Sequence, residues 1–76
     1  MTQYLIIEVQ NRDDGINNIQ PITSRNSLAT GLSYFYVRCA AMAATTLYPT
    51  VTLILVDTNG VIYENKHLTT AYVATE

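Results

Sequence analysis

The chain has 76 residues, room for one domain and for no second site-bearing module. Apolar residues make up 49%, which excludes wholesale disorder. Charged residues are only 13%, about half the usual share, with a net charge of −2; that balance excludes a basic groove for extended nucleic acid.

From Tyr4 to Gln10 the chain reads as a first strand, with Leu5, Ile7 and Val9 on one face and Tyr4, Ile6 and Glu8 on the other. Both faces are largely apolar, which predicts a central position in the sheet. Asn11-Arg12-Asp13-Asp14-Gly15 is a turn. Asn17 to Ile22 returns as a short second strand, and Pro21, with no amide hydrogen, confines it to an edge.

Thr23 and Ser24 are candidate N-caps of a long helix. Leu28, Leu32, Phe35, Cys39, Met42 and Thr46 follow at steps of 4, 3, 4, 3 and 4, a continuous apolar stripe. Pro49 sets the end near Leu47 or Tyr48. Such a helix is a rod of roughly 36 Å, longer than its own small sheet. Cys39 to Val56 carries no charge, but Pro49 and the change of pattern midway argue against a membrane span.

The strongest strand runs from Thr50 to Asp57. Thr58-Asn59-Gly60 closes a hairpin, with Gly60 in the left-handed region, and Val61 to His67 is the last strand. A three-residue loop sets Leu55 opposite Tyr63 and Ile54 opposite Glu64, keeping the core face apolar. A two-residue loop sets Leu55 opposite Glu64 and Leu53 opposite Lys66. The first is preferred. The expected fold is α+β, β-(β)-α-β-β, with one long helix on one face of an antiparallel sheet of three or four strands. The domain spans residues 1–67, and 68–76 form a tail or an extra strand.

A chain this short buries only roughly 60% of its unfolded surface and leans on disulfides, a metal or a partner. Cys39 is alone and His67 is the single histidine, so oligomerisation is the remaining support. A lone cysteine and the absence of a recognisable signal peptide fit a cytoplasmic setting. The helix points the same way. Tyr34, Val37, Ala41, Ala44 and Tyr48 form a second stripe, and Ser33, Ala40 and Ala44 are small residues on the remaining face. A solvated helix face carries Lys and Glu at i,i+4 spacing, and this one carries none. The expected interface of a homo-oligomer is therefore Ser33, Val37, Ala40, Ala41, Ala44 and Tyr48, with Gly31 placed for close packing. The alternative is a monomer with a neutral surface of Thr, Ser and Ala.

Arg38 is the candidate ligand residue. Its planar donors suit phosphate or carboxylate, and Tyr34 or Tyr36 is positioned in sequence to stack on a ring. The competing reading is that Arg38 pairs with Glu8 or Glu64 or snorkels to solvent. Phe35 belongs to the core stripe. Cys39, on the same stripe, reads as a buried inert thiol. No catalytic carboxylate pair, Ser/His/Asp set, phosphate loop or metal-ligand cluster assembles from this sequence, so neither an enzyme activity nor a cofactor is expected.

The start Tyr4-Leu5-Ile6-Ile7-Glu8-Val9-Gln10-Asn11 is one of three features with a parallel elsewhere. The others are the helix pattern Ala29-x-x-Leu32-Ser33-x-Phe35-Tyr36-x-x-Cys39-Ala40 and the hairpin Leu53-Ile54-Leu55-Val56-Asp57-x-Asn59-Gly60-x-Ile62-Tyr63. Together, over Tyr4 to His67, they resemble a loose group of very short proteins encoded in bacteriophages and prophages of Firmicutes and gut bacteria. This chain departs from that pattern in its longer, asparagine-rich segment before the helix. The resemblance implies a phage accessory protein that antagonises a host defence system by binding a defence protein or a nucleotide messenger. The alternative it implies is a structural or assembly accessory of the particle, acting only through protein contacts.

Overall fold

A computed structural model of the chain describes residues 2–73. The fold is α+β, with elements in the order β1 (Tyr4–Asn11), β2 (Asn17–Ile19), β3 (Thr23–Arg25), α1 (Leu28–Ala43), β4 (Thr50–Asp57) and β5 (Ile62–Thr69). The strands form one antiparallel sheet ordered β2-β1-β4-β5, and β3 pairs with β1 beyond β2. The two most aliphatic strands, β1 and β4, occupy the centre, as their two apolar faces require.

The return strand is longer than expected and broken. It forms β2 and β3 in turn, both on β1, with Gln20–Ile22 between them. Pro21 sits in that gap, where a missing amide hydrogen costs no ladder bond. Thr23 and Ser24 are therefore strand residues, not helix caps.

The helix is capped instead by Ser27, whose hydroxyl accepts from the Thr30 amide at 3.2 Å. It ends at Ala43, well before Pro49. There the Thr45 hydroxyl accepts from the Leu47 amide, the kind of local bond that competes with helix continuation. Sixteen residues make a rod of about 24 Å, which matches an eight-residue strand of about 26 Å. The expected overhang is absent, and Thr46 and Tyr48 lie outside the helix.

The apolar stripe of α1 packs on the sheet. Phe35 meets Ile6, Val51, Leu53 and Leu55 in the core, and Leu28, Leu32, Cys39 and Met42 flank it. Gly31 is buried against this sheet, and a Cβ there would lie 3.2 Å from the Tyr4 Cβ. Its role is close helix–sheet approach within one chain, rather than packing between copies.

The last hairpin has the expected loop: the Asp57 amide donates to the Val61 carbonyl, the Gly60 amide donates to the Asp57 carbonyl, and Gly60 has φ +88°. The register beyond it differs from the expectation. A bulge at Tyr63 leaves Val56 opposite Ile62 but brings Leu55 opposite Glu64 and Leu53 opposite Lys66. The extra residue allows Tyr63 to donate to the Asp57 carboxylate at 2.8 Å while its ring lies 5.8 Å from that of Tyr4. β5 continues past His67 to Thr69, and Leu68 packs on the core. The segment after it is anchored: the Thr70 hydroxyl donates to the Tyr48 carbonyl, and the Tyr72 hydroxyl donates to Asp13. The final part of the expected tail, residues 74–76, lies outside the described residues.

Candidate functional site

Alternation along β1 sends Ile6, Glu8 and Gln10 toward the helix, where all three are buried. Glu8 is a carboxylate in a core-facing row, and it is fully engaged. Arg38 reaches it from α1 with Nε on Oε1 and Nη2 on Oε2, both at 2.8 Å. Gln10 donates to the same carboxylate at 2.8 Å, and Gln20 donates to the Gln10 carbonyl oxygen at 3.0 Å. Burial works to raise the Glu8 carboxyl, but the Arg38 guanidinium and the Gln10 amide outweigh it and hold the group below its ordinary value. The hydrogen bonds to Glu8 in turn push the Arg38 guanidinium further up.

Beside this pair lies a cleft of about 330 Å³, lined by Ile6, Glu8, Gln20, Pro21, Thr23, Tyr34 and Arg38. The structure thus brings Arg38 and Tyr34 to one site. It does not bring Tyr36 there: the Tyr36 hydroxyl donates to Glu64 at 2.7 Å, on the β5 side of the helix. That bond to the carboxylate raises the Tyr36 phenol. The Tyr34 ring already carries the Arg25 guanidinium 4.7 Å from its centroid, and its hydroxyl accepts from Thr23 at 3.3 Å. Each of the three candidate ligand side chains therefore has an intramolecular partner. The charge of Arg38 is balanced at contact distance by Glu8, so the cleft offers an anion little net attraction. Among the described residues, no buried side-chain nitrogen or oxygen lacks a hydrogen-bond partner.

The sequence reading missed the extended network of Gln10 and Gln20. The signal was present, since Glu8 and Gln10 share the face of Ile6 at period two. Cys39 packs beside the core, and burial pushes its thiol up, the opposite of an activated nucleophile. Glu64 and His67 lie on opposite faces of β5, and His67 shares a 2.9 Å hydrogen bond with Thr52.

Two surfaces carry no Asp, Glu, Lys or Arg. Ser33, Val37, Ala40, Ala41 and Ala44 are exposed on the outward side of α1, with no charged residue among them. Tyr48 does not join them: it sits below the helix end and packs against the core. The second surface is the face of the sheet opposite α1. It carries Leu5, Ile7 and Val9 of β1 in register with Val56, Ile54 and Thr52 of β4. Ile19 and Ile62 extend it at either edge, 72% and 59% exposed. No helix among the described residues is long and apolar enough to cross a membrane.

No known protein family, curated protein or solved structure matches this chain.

Proposed function

We propose that this chain is a non-enzymatic binding protein that works through protein contacts made by the outward side of α1. The observation that carries this reading is a helix with an entire exposed side free of charge. A solvated helix face normally carries i,i+4 ion pairs, and a neutral one is suited to be covered. Arg38, neutralised by Glu8, favours a protein target over a nucleotide messenger. The resemblance to short phage-encoded proteins makes the target a host defence protein, met in the host cytosol.

The test is a plaque assay in a host that carries a defence system, with the chain expressed beforehand. The expected result is restored plaque formation by the wild type, lost in the Val37→Glu, Ala41→Glu double variant while circular dichroism stays unchanged. Equal restoration by both proteins would place the contact elsewhere. Absence of restoration together with copurification on phage particles would favour the structural-accessory reading.

A further inference from the structure

We infer that the sheet face opposite α1 is the contact between two copies of this chain, packed face to face. Strand alternation separates the two faces cleanly. Every charged residue of the described strands that takes a definite face lies on the helix side: Glu8, Arg25, Asp57, Glu64 and Lys66. The opposite face carries no Asp, Glu, Lys or Arg; its centre is the Ile7–Ile54 pair, flanked by Leu5, Val9 and Val56, and toward one end it turns polar with Thr50, Thr52, Asn65 and His67, whose ring is hydrogen-bonded to Thr52.

The second copy is the occupant that this face fits. A two-fold interface sets a patch against itself, so any charge there would meet its like. A neutral patch has no such conflict, and it offers no charge pattern to select a different partner. The area is sufficient. Three eight-residue strands, with β2 and β3 in turn forming the fourth column, give a flat footprint of at most roughly 19 by 26 Å. Two such faces bury about 1,000 Å² before side-chain relief is counted, which reaches the threshold of a specific interface. Two twisted sheets whose inner faces have aliphatic centres stack about 10 Å apart and roughly 30° off parallel. The core also has need of the second layer. Among the described residues of one copy, only Ile6, Phe35, Val51, Leu53 and Leu55 are fully buried apolar residues, a small core for an unstapled chain. Such a dimer leaves both α1 outward sides free, facing away from each other, so it goes beyond the target contact proposed above and is separable from it.

Sedimentation equilibrium of the full chain tests this. The expected species is about twice 8.5 kDa at micromolar concentration. Ile19→Lys and Ile62→Lys alter positions already exposed in one copy, so folding survives, and each raises the dimer Kd about tenfold or more. Ile54→Lys, at the centre, gives a monomer that retains its circular dichroism or one that unfolds, and the two edge variants decide the question in either case. Ala41→Glu leaves the dimer intact. A wild-type chain that sediments as a monomer overturns the inference. So does a dimer that Ala41→Glu dissociates, or one that Ile19→Lys and Ile62→Lys both leave unchanged.

Discussion

Arg38 holds the Glu8 carboxylate side-on, Nε and Nη2 each 2.8 Å from a different oxygen, across the junction of α1 and β1. Two parallel bonds fix the angle of the guanidinium as well as its distance. The pair therefore sets where the helix lies on the sheet, and it uses the donors that an external anion would need.

Removing one partner leaves the other charge in a desolvated place. Arg38→Ala makes that change on the helix side. With Glu8 buried beneath it, the substitution should lower unfolding stability by about 2–3 kcal/mol, less than for a fully enclosed pair because Arg38 retains some solvent contact. Urea titration of Arg38→Ala, Glu8→Gln and the double variant should show a coupling of about 1 kcal/mol or more. Additive losses would mean that the two side chains do not act as a pair.

Acid should expose the same linkage. Glu8 lies below its ordinary value because Arg38 and Gln10 outweigh its burial. Asp57 lies below its own because the Val61 amide, then the Tyr63 hydroxyl and the Asn59 amide, donate to it. A lowered folded value means stabilisation that is complete above the ordinary carboxylate range of about 4 and is lost as pH falls through the folded values. Thermal midpoints should be flat from neutrality to about pH 5 and fall below it. In Glu8→Gln the acid fall should be shallower.

Gly31 gives a steric test of the helix–sheet contact. A Cβ there meets the Tyr4 Cβ at 3.2 Å and Leu55 Cδ1 at 3.5 Å. The Tyr4 Cβ is tied to the central strand and yields little. Gly31→Val should therefore destabilise by about 2 kcal/mol in denaturant titration, despite valine's better helix propensity than glycine's. A neutral outcome would mean that α1 can lift from β1 at no cost.

At the tip of the last hairpin, Gly60 has φ +88° and nothing within 4 Å of an added Cβ. Space is not the issue there; backbone conformation is. Gly60→Ala should cost about 1–2 kcal/mol, the penalty of a left-handed residue with a side chain. Calorimetry that shows no loss would require a different loop.

Several elements were legible because their causes are local. Alternating β-branched residues made β1 and β4, Gly60 made the loop between β4 and β5, and the spacing of Leu28, Leu32, Phe35, Cys39 and Met42 made the buried side of α1. The pairing of Arg38 with Glu8 was one of several readings the residues allowed, beside a ligand site, Glu64 and solvent, and choosing among them required the distance between α1 and β1. Other features were decided by contacts between residues far apart in sequence. Thr23–Arg25 became a strand because β1 had an unpaired edge to offer. The bulge at Tyr63 formed because Asp57 and Tyr4 bind its two ends, which moved Glu64 to the helix side and left Tyr36 to satisfy it. Composition announced a shortage of charge. Tertiary structure decided its placement: the strand charges lie on the helix side of the sheet, and both outer surfaces are left without Asp, Glu, Lys or Arg, because alternation sorts a strand's residues between two faces but only the packed helix decides which face is inside.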